Sequence, residues 1–262
     1  MPVIYEPRGK AREYSPLALN LYMGCTHKCV YCYAPTCIKR NNNMYFQKPY
    51  PRKGIIENLK KELSRDKPTS QVLLSFIGDP YGDTYDNNEV TRQALEILHQ
   101  FKTPVAILTK GGRKCLKDIE AYRSFDDHIQ IGATLTFDNN NDSLKWEPGA
   151  AMPDDRLETL KTLHDEGIRT FASFEPVINP VQSLNLIRKS LEFIDVYKIG
   201  KINNFQGLDK TIEWKEFLLE ALNILRPAGK QVYIKHDLRK AAADVKLYEN
   251  EVLPDEHNVT WT

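Results

Sequence analysis

The sequence predicts an α/β fold built on parallel strands. Three observations predict it: short β-branched runs alternate with longer stretches of helical period, turns carry helix start and stop signals, and 262 residues suit one α/β barrel. Strands are expected at 17–22, 71–77, 105–109, 129–136, 170–174, 196–199 and 231–234, each an apolar run bounded by polar, Gly or Pro residues. Amphipathic helices are expected at 54–65, 89–101, 113–125, 154–166, 181–193 and 211–225. In the helix at 154–166, Leu157, Leu160 and Leu163 share one face, the first turn is acidic, and Gly167 follows the end. Parallel strands joined by helical crossovers form a barrel or an open doubly wound sheet. The six or seven units counted here fall one or two short of an eightfold barrel. No internal repeat, low-complexity tract or linker divides residues 1–262, so a single domain is expected. In either architecture the chemistry belongs at the C-terminal ends of the strands.

Composition narrows the function classes. Basic residues (36) nearly balance acidic ones (35), so no global field advertises a nucleic-acid or membrane partner, although a local patch remains open. No apolar run approaches the length of a membrane span, and the charged N-terminus lacks the apolar stretch of a secretory signal. Five cysteines, three of them tightly clustered, do not form a disulfide framework, and a reducing cytoplasmic setting is expected.

The stretch LNLYMGCTHKCVYCYAP, 19–35, places Cys25, Cys29 and Cys32 within eight residues, directly after the first expected strand. Three chemistries suit it. Structural zinc would need His27 as fourth ligand, which crowds a tetrahedral site into consecutive residues. An electron-carrying cluster normally takes four cysteines, and Cys37 and Cys115 fit the spacing poorly. A four-iron cluster with one iron free of protein ligands would bind a cofactor or substrate there, as catalytic zinc keeps an open position.

The spacing Cys-x3-Cys-x2-Cys, with the aromatic Tyr31 before the last cysteine, resembles the signature of the radical S-adenosylmethionine (SAM) superfamily. The resemblance implies a partial (β/α)6-type TIM barrel as core, about 15–226, followed by a short C-terminal extension, about 227–262. It also implies a [4Fe-4S] cluster on Cys25, Cys29 and Cys32 whose open iron binds SAM. The reduced cluster cleaves SAM to a 5′-deoxyadenosyl radical that abstracts hydrogen from an organic substrate, and an electron donor such as a flavodoxin or ferredoxin is the implied partner. A carbon radical attacks most nearby C–H bonds, so a dry, shaped pocket is required.

The segments LLSFIGDPY, ILTKGG and SFEPVINP extend the likeness to the spore photoproduct lyase-like group. Residues 75–80 would then run beside SAM, with Ser75, Gly78 and Asp79 among the cofactor contacts. Thr109 and Lys110 match the group's Thr-Lys pair, the lysine approaching the SAM carboxylate. Thr134, Thr136 and Glu175, at later strand ends, become candidates for ribose or carboxylate contacts, and Tyr31 for packing on the cluster. Lys198, Lys201, Lys235 and His236 become candidate substrate contacts, and Tyr33 a catalytic stacking or relay group.

The pattern breaks at Ser75, where the lyase carries the cysteine that returns a hydrogen atom. An alcohol O–H bond is far too strong for that task, so the photoproduct reaction itself is not expected. The segment 36–54 mixes Lys39, Arg40, Lys48, Arg52 and Lys53 with Tyr45, Phe46 and Tyr50. It suits either a nucleic-acid surface or a solvated loop whose aromatics cover the cluster. The expected function is a radical SAM enzyme acting on a nucleotide or nucleic acid. Modification of a peptide or small metabolite, and a non-catalytic metal-binding module, are the alternatives.

Overall fold

A computed structural model describes residues 2–203, 205 and 207–253; the tail of the expected C-terminal extension, 254–262, lies outside the described residues. The strands are β1 (Ile4–Tyr5), β2 (Leu17–Leu19), β3 (Tyr22–Met23), β4 (Tyr50–Pro51), β5 (Val72–Leu74), β6 (Val105–Thr109), β7 (Ile129–Thr134), β8 (Arg169–Val177), β9 (Val196–Lys201) and β10 (Gln231–Ile234). The helices are α1 (Ala34–Cys37), α2 (Asn42–Tyr45), α3 (Ile55–Leu63), α4 (Glu89–Gln100), α5 (Ile119–Arg123), α6 (Asn140–Trp146), α7 (Pro153–Asp165), α8 (Pro180–Ser190), α9 (Trp214–Leu225) and α10 (His236–Ala241).

Eight strands form one sheet in the order β1-β2-β5-β6-β7-β8-β9-β10. All neighbours are parallel except β1, which runs antiparallel to β2. Among the described residues no pairing joins β10 back to β1, so the barrel is partial. The six parallel strands β2 and β5–β9 supply the expected core. The strand at 231–234, assigned to the extension, adds a seventh to the same sheet by pairing with β9.

Period-two alternation sorts each strand's residues into two environments. Outward residues such as Val72, Ile107 and Ile131 pack under α3 and α4 through Leu59, Leu95 and Leu98. Farther along the sheet, Phe174, Ile199 and Ile234 pack under α7–α9 through Leu160, Ile187 and Leu222. The interior is smaller and more polar. Gln130 Nε2 donates to Gln71 Oε1 at 2.5 Å near the strand starts. Tyr14, Leu73, Ala106, Phe171 and Val196 fill the middle. Gly132 makes room for Phe171, since a Cβ there would lie 2.5 Å from the ring.

Residues 9–16 form a strap across the open seam. Glu13 Oε1 accepts from Tyr233 Oη (2.9 Å) and the His236 N–H (2.6 Å), and Lys10 pairs with Asp237. Ser15 Oγ donates to the Gln71 carbonyl on the far side of the seam.

Two expectations are corrected. The strand at 17–22 is broken at Asn20, because that side chain's Oδ1 accepts the Phe76 and Ile77 N–H groups, each at 2.9 Å. Its second half becomes β3, paired antiparallel with β4 in a separate ribbon, so the cysteine loop leaves a ribbon instead of a barrel strand. The helix at 113–125 is a 3₁₀ turn over Gly112–Asp118 followed by the short α5.

Gly132→Ala should destabilise the chain by about 1–3 kcal/mol through overpacking against Phe171, read as a lower denaturant midpoint. An unchanged midpoint would contradict this interior packing.

Candidate active site

The cysteine loop hangs at the C-terminal mouth of the barrel and is clamped at several points. Gly24 adopts φ +96°, and a Cβ there would press to 3.0 Å on the Tyr45 carbonyl, which accepts the Cys25 N–H at 3.1 Å. The Cys32 N–H returns to the Cys29 carbonyl at 3.1 Å, closing a turn. The segment after α6 holds the other side. Trp146 O accepts from the Val30 N–H, and the Gly149 N–H donates to His27 O at 3.0 Å. A Cβ at Gly149 would lie 2.0 Å from the Thr26 carbonyl, so only glycine permits this approach. Cys29 is buried, while Cys25 and Cys32 are half-buried.

The buried Asp79 carboxylate joins three loops. Oδ1 accepts from Thr109 Oγ1 (2.6 Å) and the Tyr81 N–H (2.8 Å), and Oδ2 from the Lys110 N–H (2.7 Å). His27 Nε2 stands 2.9 Å from Oδ2, close enough for charge attraction though not aligned as a hydrogen bond. Burial opposes the charge, but His27, Thr109 and the Lys110 N–H outweigh it and hold the pKa at about 2. Asp79 and Thr109 therefore hold each other, a structural use where cofactor contact was expected. His27 faces Asp79 with one nitrogen, and its Nδ1 lies 3.0 Å from Gly149 O, which removes it as a zinc ligand.

Behind the loop lies a buried ion pair that sequence reasoning missed. Glu147 accepts from Arg156 Nη2 at 2.5 Å and from Tyr31 Oη, and Thr136 Oγ1 stands at 3.3 Å. Arg156 also donates to Ala151 O and Thr134 O. Burial works against Glu147's charge, yet Arg156 and Lys110 keep its pKa below the ordinary carboxyl value. Burial raises the Tyr31 pKa well above the usual phenol value, so Tyr31 stays a neutral donor. Lys110 Nζ lies 5.6 Å from the Tyr31 ring centroid and 4.0 Å from Glu147. Burial opposes its charge too, but Cys29 and Glu147 hold its pKa above the ordinary lysine value. Tyr31, Lys110 and Thr136 are thus assembled beside Cys29, while Thr134 is buried along the same interior face. The one available signal was Arg156 beside the apolar stripe of its helix.

Ser75 Oγ donates to the Gly78 carbonyl, closing the loop after β5, and Gly78 packs on the cysteine loop, where a Cβ would meet Gly24 O at 2.9 Å. Tyr33 is exposed, its hydroxyl 3.5 Å from Phe76 O. Across the mouth, Glu175 accepts from Lys235 and from Tyr14 Oη (3.0 Å), with Lys198 buried nearby. Lys201 turns aside to Asp209 at 3.6 Å, and the His236 side chain is exposed, so neither joins that group. In the basic segment, Tyr45 is buried under the cysteine loop and Phe46 packs edge-on to it at 5.2 Å. Of the three aromatics offered for base stacking, Tyr45 is therefore cover for the loop and the half-buried Phe46 packs on Tyr45. Cys115 is buried behind β6, and Cys37 is exposed on α1.

Among the described residues no three or more His, Cys, Asp or Glu side chains gather closely enough to hold a metal ion. A four-iron cube is several ångströms wide and keeps its thiolates apart around it, so three separated thiols suit a cluster. The donor set fits as well: three soft sulfur ligands, no Asp or Glu from Tyr14 to Ile56, and the Lys110 ammonium alongside. Burial pushes the Cys29 thiol up to about 11 and raises Cys25 and Cys32 too, so these residues would hold iron as thiolates only by giving up their protons to solvent as it binds.

Residues 19–194, more than half of the chain, match the family model of the Radical SAM superfamily. The chain belongs to the Radical SAM superfamily. Its members are enzymes that use a [4Fe-4S] cluster and SAM and need a reductant. Among curated proteins, it is 26% identical over 205 residues to the uncharacterized protein MJ0683 of Methanocaldococcus jannaschii, covering 76% of this chain and 74% of that one. It is 25% identical over 273 residues to ORF301 of Acidianus two-tailed virus, covering 88% and 87%. In structure it resembles a mutant spore photoproduct lyase, with TM-score 0.65, 12% identity and coverage of 88% and 79%. Against spore photoproduct lyase complexed with dinucleoside spore photoproduct the values are 0.57, 15%, 93% and 66%. Against Streptococcus suis SuiB bound to SAM they are 0.62, 15%, 88% and 53%, so the chain spans about half of SuiB. At these identities the likeness shows the partial-barrel fold. No helix among the described residues is long and apolar enough to cross a membrane.

Asp79 has its pKa lowered from 3.8 to about 2, so its contribution is present above the unfolded value and is lost as pH falls through about 2. Asp79→Asn should cost about 2 kcal/mol at neutral pH by that linkage, with the gap to wild type closing between about pH 4 and pH 2 in denaturant titrations. A gap independent of pH would contradict the role given to Asp79. Gly149→Ala should leave the barrel folded but lower the iron and sulfide bound per chain; full loading would remove the clamp from the account.

Proposed function

We propose that this chain cleaves SAM reductively and abstracts hydrogen from an organic substrate. One observation carries the reading: Cys25, Cys29 and Cys32 are held in a clamped loop at the barrel mouth with the Lys110 ammonium beside Cys29. A cluster held on these thiolates would supply the electron that breaks the SAM sulfonium bond.

The remaining work falls to this chain's own side chains. Lys110 is placed to attract the SAM carboxylate, and it keeps its charge because Cys29 and Glu147 outweigh burial. The backbone at Ile77 and Gly78, held against the cysteine loop by Asn20 and Tyr45, offers the edge along which SAM would lie. Thr134 on the cysteine side, at the end of β7, and Glu175 across from it on β8 are the candidates for the ribose. Tyr31, bonded to Glu147, closes the loop from below on the side of the buried Cys29.

For substrate, a nucleotide or nucleic acid is the first reading. Its support is family-level likeness to a lyase solved with a dinucleoside photoproduct. The photoproduct reaction itself is set aside, because Ser75 has no weak hydrogen to return and is bonded to Gly78 O. A specific observation favours a second reading, a small metabolite or peptide: the burial of Tyr45 and packing of Phe46 leave Tyr50 as the exposed ring of the basic segment. A flavodoxin or ferredoxin is the proposed source of electrons.

Anaerobic reconstitution with iron and sulfide, followed by a strong reductant and SAM, should yield 5′-deoxyadenosine. Cys25→Ala, Cys29→Ala and Cys32→Ala should each abolish the cluster and the product, while Cys115→Ala should keep both. An intact cluster without product would sink the proposal. Failure to retain single- or double-stranded oligonucleotides at low salt would remove the nucleic-acid reading.

A further inference from the structure

The barrel interior at β8–β10 holds charged groups that the cysteine loop does not use. Lys198 points inward from β9, in register with Ser173 on β8 and Tyr233 on β10. It is 1% exposed. Its ammonium donates to the Tyr14 carbonyl at 3.0 Å and lies 5.0 Å from the Phe171 ring centroid and 5.7 Å from that of Tyr14. Among the described residues it pairs with no carboxylate. The carboxylate of this layer, Glu175, is taken by Lys235 and by Tyr14 Oη.

Two buried ammonium groups therefore face one carboxylate, which Lys235 takes. A buried ammonium lacking a counter-charge costs several kcal/mol, which a methionine of similar volume would avoid. Burial first, then Lys235 and Arg169, pull the Lys198 pKa down to about 7. The layer is short of one negative charge.

The three in-register residues all hold the same two residues of the seam strap. Ser173 Oγ is 2.6 Å from Tyr14 Oη, Lys198 bonds Tyr14 O, and Tyr233 Oη bonds Glu13. The strap's 3₁₀ turn, Gly9–Glu13, buries none of its side chains, so polar contacts hold that turn, while Tyr14 just beyond it is buried among Leu73, Phe171 and Val196 and anchors the strap. The layer also reaches the mouth. Glu175 is 19% exposed, and Phe76, whose ring lies 6.0 Å from that of Tyr14, has its carbonyl 3.5 Å from the hydroxyl of Tyr33, the residue after Cys32.

We propose that this layer is a subsite for an oxyanion of the substrate, a carboxylate or a phosphate, with Lys198 as its charge partner and the Tyr14 strap as the cover that releases Lys198 when the anion enters. The word substrate rests on the SAM-cleaving reading above, but anion binding is measured without that reaction.

Hydrogen exchange over the strap, residues 9–16, in the full chain near about pH 6, where Lys198 is charged, supplies the test. Inorganic phosphate and acetate are the probes, with sodium chloride at matched ionic strength as control. In the wild type one or both anions should speed strap exchange about threefold or more. Lys198→Met should exchange faster from the start and ignore both anions. Lys198→Gln, which keeps a donor but loses the charge, should start near wild type and also ignore them. A response to phosphate alone names a phosphate, and one to acetate alone a carboxylate. The proposal is overturned if the wild type ignores both anions, if chloride acts equally, or if either variant responds like the wild type. Loss of SAM cleavage with the anion response intact would count against the proposed function and leave the subsite standing.

Discussion

A buried carboxylate must find partners for both oxygens or give up its charge, and Asp79 meets that demand by drawing three loops together. Its own loop after β5, the end of β6 and the cysteine loop all reach it. His27 passes the constraint on to Gly149, so the segment after α6 is fixed as well. The position of the cysteines is thus set by an acid that touches none of them.

Charge is then balanced around the thiols. Lys110 and Arg156 are cationic, and Glu147 is the carboxylate between them. One surplus positive charge beside Cys29 favours a thiolate-held group and an anionic ligand at the same mouth. A lone buried pair would be weak grounds for stability; here Tyr31 and Thr136 satisfy the remaining lone pairs of Glu147 and make the pair part of the loop's floor.

The open barrel divides the mouth into two halves. The cysteine half follows the β3–β4 ribbon and the ends of β5–β7. The opposite half, at β8–β10, holds Glu175, Lys198 and Lys235 around Tyr14. The seam is closed by a polar strap in place of an eighth parallel strand, which puts the N-terminal segment in contact with both halves.

By itself the sequence determined most of the strands and helices and marked the three clustered cysteines as candidate sulfur ligands, because period and spacing are local properties. Strands 105–109 and 231–234 are found at the residues the pattern indicated, and the helix at 154–166 buries Leu157, Leu160 and Leu163 as its stripe requires. The break at Asn20, the buried pair Glu147–Arg156 and the commitment of Asp79 were not legible there. Each depends on a partner brought near only by folding: the Asn20 side chain meets backbone 56 residues away, and Tyr31 meets Glu147 across 116. Asp79 reads in sequence as a cofactor contact at a strand end; only the approach of Thr109, Lys110 and His27 turns it into the tie that holds the site. Lys198 reads in sequence as one of four candidate substrate contacts, and its lack of a counter-charge among the described residues exists only because β8, β9, β10 and the strap enclose it.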